Sequence, residues 1–253
     1  MSMFEIVFSP TGGTEKVSGL VTGTLDGNIV TVDLTDSGLD FHGVSMAKGD
    51  VAVISVPSYA GRVPAVAVER LGMVRGNGAR AVLVCVYGGR AFEDTLIELE
   101  DVAKRAGFRV VAAVSAIAEH SVARQFAAGR PDAQGVAQLS EFAQRIRQKL
   151  LNGAASEPSI PGNRPYKQAG GHSMVPHATE DCVSCGACAA LCPVRAIDKD
   201  DPRQVDGEAC ISCMRCVSVC SQNARKLDPN KLAAVTQMLS KACVERRECE
   251  IFI

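Results

Sequence analysis

Eight of the eleven cysteines fall in one stretch of the chain, residues 182–220, where they recur at fixed spacing. The pattern C-x2-C-x2-C-x3-C occurs twice, and the second copy begins 28 residues after the first. Thiolates at this spacing are typical ligands of iron–sulfur cubes, because three wrap around one cube while the fourth points toward a second. The predicted metal ligands are Cys182, Cys185, Cys188, Cys192, Cys210, Cys213, Cys216 and Cys220.

The two cysteine runs are predicted to exchange their fourth ligands. The first three cysteines of each run would then hold one [4Fe–4S] cluster together with the last cysteine of the other run. The predicted sets are Cys182, Cys185 and Cys188 with Cys220, and Cys210, Cys213 and Cys216 with Cys192. Gly186 should relieve backbone crowding near a cluster, and Pro193 should end the short helical turn of the first run.

Zinc sites, a disulfide framework and free buried thiols are three other possible uses of these cysteines. Zinc usually takes C-x2-C pairs that are separated by a longer gap, and its site closes with four ligands. A disulfide framework is disfavoured because the sequence shows no secretion signal, and free buried thiols would not repeat with this period. The stretch resembles a bacterial-type ferredoxin with two [4Fe–4S] clusters, and it departs from that pattern at Ser221, where proline is usual.

Length and charge narrow the classes of protein that this chain can represent. With 253 residues it has room for one domain of ordinary size and one small domain. The net charge of −1 gives no electrostatic reason to expect a nucleic-acid or membrane-surface partner. The longest apolar run, residues 110–118, is too short to span a bilayer. We therefore expect a cytoplasmic protein, and two oxygen-sensitive clusters suggest an anaerobic or low-oxygen cell.

The first part of the chain alternates apolar strands with amphipathic helices. Strands are predicted over 3–8, 29–34, 50–56, 79–86 and 109–117, and helices over 15–25, 65–74, 92–106 and 132–151. This alternation is typical of a parallel sheet with helices on both faces. The predicted domains are 1–151, an α/β domain, and 177–253, a cluster domain whose last helix covers 228–241. The Gly- and Pro-rich residues 152–176 are predicted to form a linker.

A candidate anion site follows the first predicted strand, in the turn Ser9-Pro-Thr-Gly-Gly-Thr14. Its hydroxyls, its two glycines and the start of the next helix could bind phosphate, although such a turn alone is more often only a turn. Loops after the third and fourth strands should lie at the same sheet edge, where open α/β sheets bind ligands. The predicted cofactor-binding residues are Ser9, Thr11, Gly12, Gly13, Thr14, Pro57, Ser58, Tyr59, Ala60, Gly61, Tyr87, Gly88 and Gly89.

Residues 1–151 resemble a flavodoxin, whose phosphate loop reads Ser/Thr-x-Thr-Gly-x-Thr and binds FMN. Ser9, Thr11, Gly12 and Thr14 match that loop position by position. The whole chain resembles a family in which a flavodoxin-like domain precedes a two-cluster ferredoxin. The resemblance implies a five-stranded parallel sheet of order 2-1-3-4-5, a small α+β ferredoxin domain, and FMN beside the two clusters. It also implies electron transfer between the clusters and FMN, with a redox partner protein as donor or acceptor.

Two other functions remain open at this point. The flavin could reduce a small organic substrate, which would need an acid such as Tyr87 or His120 beside the ring. Alternatively, the α/β domain could bind no flavin and serve to dock a redox partner. The oligomeric state is also open, with a dimer among the options. Cys85, Cys243 and Cys249 lie outside the ligand set and are expected to be buried or free thiols.

Overall fold

The computed structural model describes residues 2–25, 28–153, 156–171 and 174–253. Residues 154–155 and 172–173 of the predicted linker lie outside the described residues. Every predicted strand and helix of the first 151 residues is present, and their ends differ from prediction by a few residues. They are β1 (Met3–Val7), α1 (Gly13–Thr22), β2 (Ile29–Asp33), β3 (Val51–Pro57), α2 (Ala65–Met73), β4 (Arg80–Tyr87), α3 (Thr95–Arg105), β5 (Arg109–Ile117) and α4 (Ala133–Leu151).

These strands form one parallel sheet in the order β2-β1-β3-β4-β5, which confirms the predicted fold class. A sixth strand, Glu250–Phe252, adds to the open edge of β5 and runs antiparallel to it, with Ala113 opposite Phe252. The sequence analysis did not predict this strand, because three residues carry too little periodicity to be recognised. Its residues belong to the predicted cluster domain but complete the first sheet.

Both faces of the sheet are apolar, as a parallel sheet covered by helices requires. Alternate residues of β3 point to opposite sides. Val53 packs in the same buried cluster as Val17 of α1 and Leu139 of α4. Ile54, the next residue, packs in the cluster that contains Leu96 of α3. The sheet therefore separates two hydrophobic cores.

Residues 156–171, here called the arm, lie against helix α3 instead of crossing open solvent. Asp94 precedes α3 and accepts a hydrogen bond from the backbone N–H of Lys167 at 2.7 Å. Arg164 pairs with Asp101 of α3 at 2.7 Å. These contacts fix the described part of the predicted linker on the α/β domain.

The cysteine-rich region keeps its 28-residue repeat in three dimensions. Two short helices, Ala187–Ala190 (α5) and Arg215–Ser218 (α6), occupy equivalent positions. Left-handed backbone recurs in pairs, at Ser184 and Ser212 (φ 53° in both) and at Gly186 and Met214 (φ 75° and 63°). The strands His177–Ala178 (β6) and Arg225–Lys226 (β7) pair antiparallel beside them, and helix Pro229–Ala242 (α7) follows. No helix in the described part of the chain is long and apolar enough to cross a membrane.

Candidate functional site

The Ser9–Thr14 turn forms the start of helix α1. Gly12 is the residue before the helix and has φ 85°, a left-handed conformation that favours glycine. The Oγ of Ser9 accepts a hydrogen bond from the backbone N–H of Glu15 at 2.9 Å. This bond holds the turn against the first turn of the helix, and the Ser9 hydroxyl keeps its own proton to donate.

A cavity of about 400 Å³, here called the sheet-edge cleft, opens at the carboxyl ends of the central strands. Its volume falls in the usual range for small-molecule and cofactor sites. Nine predicted residues line it: Thr11, Gly13, Thr14, Pro57, Ser58, Tyr59, Ala60, Tyr87 and Gly88. Ser9, Gly12, Gly61 and Gly89 belong to the same loops but are not among the lining residues. The cofactor role of all thirteen stays a prediction.

Other walls of the cleft come from distant parts of the chain that the sequence analysis did not connect with it. The arm contributes residues 169–171, and the second cysteine run contributes Ile211 and Ser212. Gly170 approaches the loop after β3 so closely that a Cβ there would lie 3.0 Å from the Cβ of Ala60. No local signal marks these residues, since only the folded chain brings them to the sheet edge.

Arg62 and Glu98 form an ion pair in the cleft wall. Two nitrogens of Arg62 meet the two oxygens of Glu98 at 2.6 and 2.8 Å, and the Val63 N–H donates to the same carboxylate. The Tyr166 ring packs on the guanidinium at 4.8 Å. The hydrogen bonds that Arg62 donates to Glu98 raise the pKa of Arg62. This bidentate geometry uses the charge of Arg62 to hold the wall together.

His120 lines the cleft and also shapes the loop that follows β5. Its Nδ1 accepts hydrogen bonds from the backbone N–H groups of Val122 at 3.2 Å and Ala123 at 3.1 Å. Burial lowers the pKa of His120, and Arg90 lowers it further. The neutral ring therefore carries its proton on Nε2. Gly88 is required beside it, because a Cβ there would lie 2.5 Å from the His120 ring.

Two tyrosines give the cleft hydroxyl donors that stay protonated. Burial raises the pKa of Tyr87 to about 12, and its ring packs against Phe92 at 5.6 Å. Burial also raises the pKa of Tyr59, and negative charge on Cys213 raises it further. Tyr59 lines the same cleft as Ile211 and Ser212 of the second cysteine run.

The eight predicted ligands group around two small cavities. The outer cluster cavity is lined by Cys182, Cys185, Cys188 and Cys220, and the inner cluster cavity by Cys192, Cys210, Cys213 and Cys216. These are the two crossed sets that the spacing predicts. Ala196 donates its N–H to the Cys192 sulfur at 3.3 Å, and Ala224 donates in the same way to Cys220 at 3.2 Å. In the described ranges, no three His, Cys, Asp or Glu side chains are arranged to bind a single metal ion.

The three remaining cysteines line neither cluster cavity. Cys85 is buried in β4, where burial raises its thiol pKa. Cys249 is also buried, and Cys243 is half-buried at the end of α7. Their surroundings agree with the expectation of buried or free thiols.

The inner cluster cavity adjoins the sheet-edge cleft. Ile211 lines both cavities and packs against the hydrophobic core of the sheet. Arg215 donates to the carbonyl of Ser9 at 3.4 Å, and Ser218 donates to that of Pro10 at 3.5 Å. The second cysteine run therefore contacts the Ser9–Thr14 turn directly.

Residues 174–221 match the family model described as a 4Fe-4S dicluster domain. No curated protein is significantly similar to the chain. Among solved structures, a flavodoxin of Streptococcus pneumonia TIGR4 is 19% identical, with 58% of this chain and 99% of that chain covered and a TM-score of 0.42. Oxidised Flavodoxin 2 from Bacillus cereus is 15% identical, with 59% and 99% covered and a TM-score of 0.44.

The strand order β2-β1-β3-β4-β5 is by itself the order of flavodoxin-like sheets. The chain thus joins an α/β domain with the flavodoxin-like strand order to a following region, residues 174–221, that matches the model of a 4Fe-4S dicluster domain.

Proposed function

We propose that this protein is an electron-transfer iron–sulfur flavoprotein that relays electrons between two [4Fe–4S] clusters and FMN. The observation that carries the proposal is Ile211, a single side chain that lines both the inner cluster cavity and the sheet-edge cleft. When bound, the clusters would supply one-electron steps, and the flavin would supply steps of one or two electrons.

The position and lining of the sheet-edge cleft support the proposal that it binds FMN. Backbone N–H groups at the start of α1, with the hydroxyls of Thr11 and Thr14, would hold the phosphate. The loops after β3 and β4 would enclose the flat ring, with Tyr59 and Gly88 in the cleft wall. The arm at 169–171 would limit the entry of water to the ring.

The two cysteine sets would hold one cluster beside the sheet-edge cleft and the other farther from it. Each set contains at least one buried cysteine, but only the outer set contains an exposed one, Cys185. Val183, beside the outer set, is 64% exposed and offers an apolar contact. We therefore propose the outer set as the end that a redox partner protein approaches, and a reducing cytoplasm as the compartment that keeps the thiolates available.

Cofactor content tests this function directly. The full chain, purified without oxygen, should contain about eight irons as two four-iron cubes and one FMN. Metal analysis, acid-labile sulfide and the spectrum of released flavin give these values. Zinc in place of iron, with no flavin, would contradict the proposal.

Reduction of a small organic substrate is a second candidate, and one observation favours it. Tyr87 lines the cleft, and burial raises its pKa to about 12, so its hydroxyl stays protonated and would lie beside a bound flavin as a hydrogen-bond donor to a substrate. Anaerobic reoxidation of the reduced protein by small acceptors would be slowed by Tyr87→Phe if this function holds. A pure carrier would show no dependence on Tyr87.

A further inference from the structure

Arg225 is a buried cation in the wall of the outer cluster cavity. Its side chain is 2% exposed, and its Nη2 donates to the sulfur of Cys188 at 3.3 Å. The same nitrogen contacts the carbonyl of Pro202. Its Nε and Nη1 atoms are buried and have no hydrogen-bond partner among the described residues. A guanidinium keeps its charge in proteins, so this site buries a permanent cation with unused donors.

No carboxylate within the described ranges lies at ion-pair distance from Arg225. Burying an unpaired charge costs free energy. We therefore expect a negatively charged group beside the Arg225 guanidinium. Arg225 lines the cavity that Cys182, Cys185, Cys188 and Cys220 surround. Four thiolates with a four-iron cube supply such a negative group.

The internal repeat shows that the fold does not require arginine here. The equivalent residue in the first run, 28 positions earlier, is Ile197, which is buried and lines the inner cluster cavity. Arg215 also lines that cavity and its buried Nε has no hydrogen-bond partner among the described residues, but the residue is only half-buried and donates to the carbonyl of Ser9. A fully buried cation therefore distinguishes the outer site.

We propose that Arg225 raises the reduction potential of the cluster held by the outer cysteine set. This inference rests on the proposed function. Transfer of one electron from the inner to the outer site oxidises the inner site, reduces the outer site and moves no proton. The outer site then carries one more negative charge beside Arg225, which stabilises the reduced state, and N–H donors to the sulfurs act in the same direction. Arg225 would thus favour residence of the electron at the solvent-facing end of the relay.

A redox titration followed by electron paramagnetic resonance tests the role of Arg225. The samples are the iron-loaded full chain and its variants Arg225→Gln, Arg225→Met and Arg225→Lys. At a fixed potential, each neutral variant should show about a tenfold lower ratio of reduced to oxidised outer cluster, a shift of about 59 mV for one electron. The other cluster should shift less, and Arg225→Lys should keep most of the wild-type potential.

Arg203→Gln is the matched control. Arg203 donates to the carbonyl of Cys182 at 2.9 Å but is exposed, so solvent and salt screen its charge and no shift is expected. Unchanged potentials in an iron-replete neutral variant would overturn the inference, as would an equally large shift in Arg225→Lys. Loss of iron in all three Arg225 variants would also overturn it, since Arg225 would then be structural. Iron and FMN content of the wild type tests the proposed function separately.

Discussion

Each residue of the first cysteine run has a counterpart 28 positions later, and the backbone follows this correspondence closely. Cys192 and Cys220 each accept an N–H from the residue four positions ahead, Ala196 and Ala224. The last cysteine of each run therefore sits in the same local geometry but faces the cavity of the other run. The two copies of the repeat differ at Ile197 and Arg225. At this position the inner site has a neutral side chain and the outer site has a positively charged one.

Crossed ligation predicts which pairs of cysteine substitutions act on the same cluster. Cys188→Ser and Cys220→Ser should each lower the iron content from about eight to about four atoms, and combining them should lower it no further. Cys188→Ser combined with Cys192→Ser should remove nearly all iron, because those two thiols serve different clusters. Iron and sulfide analysis of anaerobic preparations provides the measurement.

Cys243→Ser is the control for this series and should keep all the iron, since Cys243 lines neither cluster cavity. The opposite pattern, with Cys188 and Cys192 substitutions acting on one cluster, would mean that each run binds its own cube.

Two glycines in or near the Ser9–Thr14 turn, Gly12 and Gly19, offer a matched pair of substitutions. Gly12→Ala places a Cβ on left-handed backbone at φ 85° and should lower the free energy of unfolding by roughly 1 kcal/mol. It should also weaken FMN binding, because the turn would shift. Gly19→Ala lies inside α1 with open space around it and should instead stabilise the protein by roughly 0.5 kcal/mol.

Denaturant unfolding and titration with FMN measure both effects. If both substitutions changed stability in the same direction, or if FMN affinity were equal in the two variants, the role given to this turn would be wrong.

At the scale of elements, the arm is held on the α/β domain by charged side chains. Glu93 receives hydrogen bonds from Arg90 at 2.9 Å and from Lys167 of the arm at 2.6 Å. The bonds from Arg90 and then Lys167 lower the pKa of Glu93 from its ordinary 4.5 to about 2, against the opposing effect of burial. Asp94 and Asp101 hold the same arm through Lys167 and Arg164. In their ionised form these carboxylates accept the hydrogen bonds that hold the arm on the α/β domain.

The attachment of the arm should therefore weaken in acid. Because the folded-state pKa of Glu93 is depressed, its stabilising contribution is present above about 4.5 and is lost as the pH falls toward about 2. Hydrogen exchange of residues 163–167 should be faster in Glu93→Gln than in the wild type at pH 7. The difference should shrink below pH 4.5, and a difference that stayed constant down to pH 3 would refute this account.

On the scale of the whole molecule, several contacts tie the cysteine-rich region to the sheet. One is the contact of Arg215 and Ser218 with the turn after β1. A second is the terminal strand Glu250–Phe252, which returns to the edge of β5. Arg70 adds a third contact by donating to the carbonyl of Pro193 at 2.6 Å. These contacts are what keeps the inner cluster cavity beside the sheet-edge cleft.

Removal of residues 250–253 should expose the edge of β5. We expect the free energy of unfolding to fall by about 2 kcal/mol, because the partly buried Ile251 and Phe252 lose their packing. Removal of Ile253 alone should change it little, since that residue is 42% exposed and follows the strand. Circular dichroism during urea unfolding compares the two truncations. Equal stability would mean that the sixth strand is dispensable.

The sequence predicted those features whose signal is local. The apolar runs of β3 and β4 predicted buried strands, and the spacing of the cysteines predicted the two groups in which they lie, whose role as cluster ligands stays a prediction. It missed Ile211 and the arm as cleft walls, because both reach the site through contacts between residues far apart in the chain. It also missed the terminal strand, whose pairing with β5 joins residues more than 130 positions apart. Hydrophobic periodicity reports on neighbours in sequence and cannot supply such contacts.

The central claim is that electrons pass within one chain between the inner cysteine set and the sheet-edge cleft. Flash photoreduction of the flavin in the fully loaded, anaerobic protein tests it most directly. The account predicts that reoxidation of the flavin and bleaching of the cluster absorption share one first-order rate that does not change with protein concentration. A rate proportional to protein concentration, or a reduced flavin that leaves the cluster absorption unchanged, would contradict it.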